Sequence, residues 1–212
     1  MSRSPADPSR VGAVLLTAGQ SRRMGQPKGL LRWAGKPLLR HQVDVLLGSG
    51  VGKIAVVLGE GVDELAPLVP DDRRIRAVWN ARHAEGRSGS VIIGTLALRD
   101  CEAVMFCNVD QPLSTGLVED FLGGAAEASD FPIAVAAHGG RRGHPVLIRQ
   151  ALFHEVVSIS ESSEGLRAVI RRDPVRVLTV PVDSLNTHLG FNTRDEYEKA
   201  VRRLERGELE AG

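Results

Sequence analysis

Short apolar runs alternate along the chain with segments whose apolar residues recur at helical spacing. The runs predict strands at 11–16, 53–58, 75–79, 103–107, 133–137 and 175–180. The intervening patterns predict helices at 38–47, 62–68, 89–98, 116–128, 150–157, 163–171 and 193–206. Parallel strands need crossover connections, which are normally right-handed and helical. The alternation therefore predicts an α/β fold of three layers, a mostly parallel twisted sheet with helices on both faces.

The length and composition indicate one soluble domain. A chain of 212 residues suits a single sizeable α/β domain, which we place at 11–207 after a polar, disordered tail at 1–10. The 27 lysines and arginines nearly balance the 26 aspartates and glutamates, so no overall field attracts nucleic acid or a membrane surface. We find no signal-peptide or membrane-span pattern, and Cys101 and Cys107 suit reduced core positions. We expect a cytoplasmic monomer that binds neither nucleic acid nor membranes.

The loop after the first predicted strand has the composition of a triphosphate-binding site. It contains two glycines, which allow close approach of the backbone to a ligand, and the basic residues Arg22, Arg23 and Lys28. The glycine spacing does not match a dinucleotide-binding fingerprint, and the Gly-Lys-Ser/Thr of a Walker loop is absent. An ordinary basic surface loop is the structural alternative. The order of strand, glycines, arginines and lysine favours the nucleotide interpretation.

A second candidate site follows the fourth predicted strand, where Asp110 begins the sequence Asp-Gln-Pro. Carboxyl ends of parallel strands meet at one edge of a sheet, so Asp110 is expected beside the triphosphate loop. Mg²⁺ prefers one or two carboxylates together with substrate phosphates. An aspartate that starts a turn before proline is the structural alternative. The shared edge favours the metal interpretation.

The third candidate is the small-residue stretch Gly-Arg-Ser-Gly-Ser at 86–90, just before an apolar helix. Backbone N–H groups and hydroxyls at the start of a helix can bind a nucleotide, and the small residues suit close approach by a base or ribose. Helix capping by Ser88 would account for part of the pattern.

Together these motifs resemble those of the molybdenum cofactor nucleotidyltransferases. The likeness also includes Gly-Arg-Arg-Gly-His-Pro-Val-Leu-Ile at 140–148 and Phe-Asn-Thr-Arg-Asp-Glu at 191–196, and it spans nearly the whole chain in order. It is greatest to the cytidylyltransferase branch of these MobA-like proteins. The resemblance implies a Rossmann-like fold shared with nucleotide-diphospho-sugar transferases, of the glycosyltransferase A type. It also implies Mg²⁺-dependent transfer of CMP from CTP to the terminal phosphate of molybdopterin, with Mn²⁺ as a substitute metal.

The resemblance gives a role to each matching residue. Arg23, Lys28 and Asp110 are implied to be catalytic, with Arg23 neutralising the leaving pyrophosphate and Lys28 the charge around the α-phosphate. Asp110 and Asn192 are implied to bind the metal. The implied nucleotide-binding residues are Thr17, Ala18, Gly19, Ser21, Arg22, Met24, Gly25, Gly86 and Ser90. The implied acceptor-binding residues are Arg141, Arg142, Gly143, His144 and Pro145. A loop histidine hydrogen-bonded to backbone is the structural alternative for His144.

Three positions depart from the family's pattern. Thr17 replaces the usual alanine, Asn108-Val109 replaces a glycine-containing lead into the aspartate, and Asn192 carries an amide where the cytidylyl branch has a carboxylate. Ala18 favours CTP, whereas Asn192 is common in the guanylyl branch. GTP therefore stays open as the alternative donor.

The acceptor and the presence of turnover also have alternatives. The acceptor phosphate is already anionic and nucleophilic, so positioning and electrostatics suffice for transfer. The acceptor could instead be a sugar phosphate or another small phosphate, and the protein could be a nucleotide-binding module without turnover. An oxidoreductase is disfavoured by the glycine spacing. The partners that the resemblance implies are a nucleoside triphosphate, a molybdopterin-type acceptor and a molybdoenzyme or its chaperone.

Overall fold

The computed structural model describes residues 7–19 and 23–212. The strands within these residues are β1 (Val11–Leu16), β2 (Arg32–Trp33), β3 (Lys36–Pro37), β4 (Lys53–Leu58), β5 (Ile75–Trp79), β6 (Ala103–Asn108), β7 (Ile133–His138), β8 (Arg141–Arg149) and β9 (Val177–Pro181). The α-helices are α1 (Leu38–Gly48), α2 (Val62–Leu65), α3 (Ser88–Ala97), α4 (Thr115–Glu127), α5 (Phe153–Val156), α6 (Leu166–Arg171) and α7 (Arg194–Glu205). Each predicted strand and helix therefore has a counterpart in the structure.

Seven of the strands form one sheet in the order β5-β4-β1-β6-β8-β7-β9. The neighbours β5, β4, β1 and β6 are parallel, and so are β7 and β9. Only β8, among the strands of this sheet in the described residues, runs antiparallel to its neighbours. The short strands β2 and β3 form a separate antiparallel pair. The prediction of a mostly parallel α/β sheet is confirmed.

Helices cover both faces of this sheet. Alternate residues of β1 enter two different apolar clusters: Leu15 packs with α1, α2, α4 and α7, and Val14 packs with α3, α5 and α6. Both side chains are fully buried. Gly94 lets α3 approach closely, because a Cβ there would lie 2.5 Å from Val14 Cγ1. These clusters confirm the three-layer arrangement.

The strand β8 was not predicted from the apolar pattern. Its first half is polar and exposed, and only its second half is buried. It pairs with β7 through a two-residue turn, Gly139-Gly140, in which both residues have positive φ, 57° and 76°. Such a turn is typical of a tight β-hairpin. His144 therefore lies in a strand, so the structural alternative of a loop histidine is wrong.

Structured or buried residues extend beyond the predicted domain at both ends of the described chain. Of the predicted tail, residues 1–6 lie outside the described residues, and Pro8–Arg10 forms a 3-10 turn capped by the Asp7 side chain. Leu209 is buried in the same cluster as α7, two residues beyond the predicted domain boundary. None of the helices in the described part of the chain has the length and apolar character needed to span a membrane.

Candidate active site

Two adjoining cavities open at the carboxyl edge of β1 and β6. The first, about 330 Å³, is lined by the loop after β1, the segment before α3 and the loop after β6. The second, about 880 Å³, lies between β8, the start of α3 and α6. Both are lined by Arg87, Asn108, Asp110 and Asn192. These residues therefore stand where a ligand in one cavity would meet a ligand in the other.

Lys28, Asp110 and Asn192 meet at this junction. Lys28 Nζ donates to Asp110 Oδ2 at 2.6 Å and to Asn192 Oδ1 at 3.0 Å. The lysine and aspartate side chains are 14% and 24% exposed, so their charges are only partly screened by water. The structure thus brings together three residues that the sequence analysis grouped as catalytic or metal-binding.

The oxygens of Asp110 and Asn192 suit a hard cation. One carboxylate and one amide oxygen already converge on a single positive group, the Lys28 ammonium. Among the described residues, 7–19 and 23–212, there is no cluster of three or more histidine, cysteine, aspartate or glutamate side chains that could hold a metal ion. A cation here would need further oxygens from substrate or water, as is usual for Mg²⁺.

Asn192 is positioned by the start of α7 and by an aromatic cluster. Glu196 accepts from Asn192 N at 2.6 Å and from Thr193 N at 3.2 Å, completing a capping box. The adjacent Phe191 is fully buried between Trp33 and Tyr197, with ring centroids 6.2 Å and 5.3 Å away. Phe191 N also donates to Asp110 O at 3.3 Å. The backbone of Asn192 is therefore fixed relative to the loop that carries Asp110.

The predicted nucleotide-binding residues near β1 line the first cavity. Thr17, Ala18 and Gly19 form one wall, and the buried Thr17 hydroxyl donates to Val57 O at 2.7 Å, anchoring the loop to β4. Ala18 packs against Gly59, because a Cβ added at Gly59 would lie 2.6 Å from the Cβ of Ala18. The Thr17 hydroxyl thus anchors this loop to the sheet, next to the part of the cavity wall that Ala18 and Gly19 form.

The opposite wall contains Gly86 and Ser90. Ser90 is buried, and its hydroxyl accepts from Asn80 Nδ2 at 2.9 Å. Gly86 has φ 124°, a conformation that favours glycine. Both predicted residues therefore reach the same cavity as the loop after β1.

The remaining predicted residues of the basic loop line neither cavity where the structure describes them. Ser21 and Arg22 lie outside the described residues. Arg23 is exposed and absent from the lining of both cavities; its charge acts on Glu196, whose pKa is lowered first by the hydrogen bond from Asn192 N. The Met24 side chain is buried in the core, so only its backbone can face a ligand. Gly25 is exposed, with φ 71°.

Four of the five predicted acceptor residues line the second cavity: Arg141, Arg142, Gly143 and His144. Pro145 follows in β8 and is buried outside that lining. Burial, and after it the positive charge of Arg87, lowers the pKa of His144 to about 4. The imidazole is therefore neutral at physiological pH, and its buried Nδ1 has no hydrogen-bond partner among the described residues.

Two residues at the site, Arg87 and Arg167, were not selected from the sequence. Arg87 donates to Asn108 Oδ1, and Asn108 Nδ2 donates to Gln111 Oε1, so an arginine reaches the Asp110 turn through an amide. Arg167, at the start of α6, lines the second cavity. Arg87 stands inside the motif at 86–90 and could have been chosen there. Arg167 carries no comparable sequence signal, because only the packing of α6 brings it to the cavity.

The comparisons with known proteins identify the family. A model of the MobA-like NTP transferase domain matches residues 13–177. The chain is 30% identical to nicotine blue oxidoreductase of Paenarthrobacter nicotinovorans over 77% of its own length and 83% of the relative's. It is 37% identical to the 2-C-methyl-D-erythritol 4-phosphate cytidylyltransferase of Dehalococcoides mccartyi strain 195, over 49% of this chain and 47% of the relative.

Solved structures share the fold. A homologue of Mycobacterium tuberculosis Rv0371c from Mycobacterium sp. strain JC1 has a TM-score of 0.76 at 24% identity, over 93% of this chain and 98% of the other. Rv0371c itself, solved with manganese, has a TM-score of 0.71 at 19% identity, over 91% and 98%. At these identities the likeness concerns the fold, whereas the domain match covers most of the sequence. The chain belongs to the MobA-like NTP transferase domain family and is an enzyme of the nucleotidyltransferase class.

Proposed function

We propose that this enzyme transfers CMP from CTP to the terminal phosphate of molybdopterin and releases pyrophosphate, with Mg²⁺ or Mn²⁺ bound at Asp110 and Asn192. The observation that carries the proposal is the meeting of Lys28, Asp110 and Asn192 at the junction of the two cavities. Transfer between two bound phosphates needs opposite charge where the two ligands meet. The first cavity would hold CTP and the second the acceptor.

The reaction joins two anions and requires no base. An oxygen of the acceptor phosphate attacks the α-phosphorus of CTP and forms a new P–O bond. The bond from that phosphorus to the bridging oxygen of the β-phosphate breaks, and pyrophosphate leaves with its electrons. Because the attacking phosphate is already ionised, no side chain has to remove a proton. The protein supplies position and charge.

Each residue at the junction has a distinct part. Lys28 would neutralise charge around the α-phosphate, and backbone N–H groups of the loop after β1 would orient the phosphate chain. Arg23, exposed beside the start of α7, would meet the departing pyrophosphate. Asp110 and Asn192 would hold the cation. When bound, the cation neutralises phosphate charge and so lowers the repulsion between donor and acceptor.

The charge of the second cavity supports a phosphorylated acceptor. It is lined by four arginines, Arg87, Arg141, Arg142 and Arg167, and by three carboxylates, Asp110, Glu161 and Glu164. Each carboxylate already has a partner: Lys28 for Asp110, Ser88 N for Glu161 and Arg171 for Glu164. Within the described part of the chain, neither Arg141 nor Arg167 forms an ion pair, and the Arg87 guanidinium donates to the neutral side chain of Asn108. Arginine binds phosphate through paired N–H groups. Molybdopterin is favoured over other phosphates by the Gly143-His144-Pro145 sequence, which resembles the cytidylyl branch.

A sugar-phosphate acceptor is the second candidate, favoured by the similarity to a cytidylyltransferase named for 2-C-methyl-D-erythritol 4-phosphate. Oxidoreduction is a third, favoured by the similarity to nicotine blue oxidoreductase. Binding distinguishes the classes: we expect CTP to raise the melting temperature in the presence of Mg²⁺, and NADH and NADPH to leave it unchanged. Stabilisation by a nicotinamide cofactor alone would favour oxidoreduction.

The deciding experiment is pyrophosphate release with CTP, GTP, UTP and ATP, each with molybdopterin and Mg²⁺ or Mn²⁺. We expect release with CTP, abolished by Asp110→Ala. Asp195→Ala is the matched control, because Asp195 pairs with Lys199 on the exposed side of α7. Release with GTP alone would change the donor, and release only with a sugar phosphate would change the acceptor. No release with any pair would favour a binding module.

A further inference from the structure

A buried glutamine from α1 holds the loop that carries Asp110. Gln42 is fully buried. Its Nε2 lies 3.1 Å from Asn108 O, 3.4 Å from Val109 O and 2.8 Å from Gln111 O. Its Oε1 accepts from Leu113 N at 3.0 Å. One side chain thus contacts the backbone on both sides of Asp110, although its hydrogen-bond partners lie 66 to 71 residues away in sequence.

Two of these contacts satisfy backbone groups that the loop does not pair itself. Asn108 O also accepts from Gln111 N, whereas Gln111 O and Leu113 N have no backbone partner among the described residues. The parallel ladder of β6 ends at Asn108, and the α4 N-cap begins only at Ser114. Carbonyls buried between these elements need donors from elsewhere, because an unpaired buried group costs about 1–3 kcal/mol. A neutral amide is suited to this place, since it donates and accepts at the same time.

We propose that Gln42 is a positioning residue that fixes the Asp110 carboxylate for cation binding. The proposal rests on the proposed function, because it takes Asp110 as a cation ligand. Gln42 acts only through the backbone of its partners, and it lines neither cavity. Without its hydrogen bonds, the loop would have more freedom beside Asp110, and the carboxylate would hold the cation less tightly.

The neighbouring residue provides a matched control. His41 is also buried in α1, and its Nε2 lies 3.1 Å from Leu113 O. It therefore contacts the same loop at one point, three residues beyond Asp110. His41→Phe and Gln42→Met each remove hydrogen bonds by replacing a polar side chain with an apolar one of similar size. Both should lower stability, but only Gln42→Met releases the backbone next to Asp110.

The test is the binding of CTP, measured by calorimetry over a series of Mn²⁺ concentrations, with melting temperatures recorded in parallel. We expect Gln42→Met to raise the Mn²⁺ concentration for half-maximal CTP binding by about tenfold or more, and His41→Phe to change it by less than about twofold. Should Gln42→Met not fold, Gln42→Asn replaces it, with a smaller shift in the same direction. Equal shifts in the position-42 and position-41 variants at similar melting temperatures would overturn the proposal, as would no shift at all.

This assay needs neither an acceptor nor turnover, so the two proposals can fail separately. Mn²⁺-dependent CTP binding without pyrophosphate release would contradict the proposed function while the Gln42 result kept its meaning. Wild-type CTP binding that did not depend on Mn²⁺ would overturn the role of Asp110 and, with it, that of Gln42.

Discussion

Lys28 Nζ lies 2.6 Å from Asp110 Oδ2, joining the loop after β1 to the loop after β6 across 82 residues of sequence. The pair is mostly shielded from water, at 14% and 24% side-chain exposure. Removing one partner of such a pair leaves the other without its hydrogen bond in a poorly solvated place. Lys28 therefore affects both the charge of the site and its geometry.

Lys28→Met should reduce kcat/KM for pyrophosphate release by about 100-fold or more, because it removes a positive group from the reacting phosphates. It should lower the free energy of unfolding by about 1–3 kcal/mol through the lost charged hydrogen bonds. Steady-state kinetics and urea unfolding measure the two effects. Wild-type kinetics in this variant would exclude Lys28 from the reaction.

Lys36→Met is the control for Lys28→Met. Lys36 Nζ also lies 2.6 Å from a carboxylate, Asp44 Oδ2, but its side chain is 56% exposed and it lines neither cavity. An exposed pair of this kind contributes about 0–1 kcal/mol. The control should keep wild-type kinetics and nearly wild-type stability.

Phe191 connects the core to the site, because it packs between Trp33 and Tyr197 and immediately precedes Asn192. Phe191→Ala should lower the free energy of unfolding by about 3–5 kcal/mol, since it empties a fully buried aromatic position. Phe131→Ala is the control, at an exposed position with 37% exposure. Urea unfolding compares them, and similar losses in the two variants would contradict an anchoring role for Phe191.

Much of the fold was predictable because its strands are short and apolar and its helices have distinct apolar faces. β1, β4 and β6 are buried on both sides and read as continuous apolar runs. The meeting of Lys28 with Asp110 was also predictable, since parallel strands place their carboxyl ends at one edge. The contact with Asn192 was inferred from the family resemblance alone.

The missed features depend on packing between distant segments. β8 has a polar first half, and its signal was the Gly139-Gly140 turn instead of apolar periodicity. Gln42 looks like a polar residue on the exposed side of a helix, yet it is fully buried because the backbone of the Asp110 loop surrounds its amide. No local pattern distinguishes such a residue from a solvated one.

Asn192→Asp tests the amide at the proposed cation site. Its Oδ1 accepts from Lys28 at 3.0 Å, a contact that a carboxylate can keep. Because Mg²⁺ binds charged oxygens more tightly than neutral ones, the half-saturating Mg²⁺ concentration should fall by about tenfold. Mg²⁺ titration of CTP binding measures it, with Asn192→Ala expected to raise the value. An equal response to both substitutions would remove Asn192 from the cation site.

His144 should make stability depend on pH in a defined window. Burial, and next the charge of Arg87, lowers the pKa of His144 from 6.5 to about 4. Between these values the unfolded chain binds a proton that the folded protein does not, so the free energy of unfolding falls as pH decreases from about 6.5 to 4.

The size of that effect, and a variant that removes it, can be measured together. A difference of about 2.5 pKa units corresponds to a loss on the order of 3 kcal/mol by pH 4. His144→Gln lacks the ionisable ring, so its unfolding free energy should decline less over the same range. Urea unfolding from pH 8 to pH 4 gives both profiles, with pH 8 as the reference at which His144 is neutral in both states. Parallel profiles would show that another group causes the acid sensitivity.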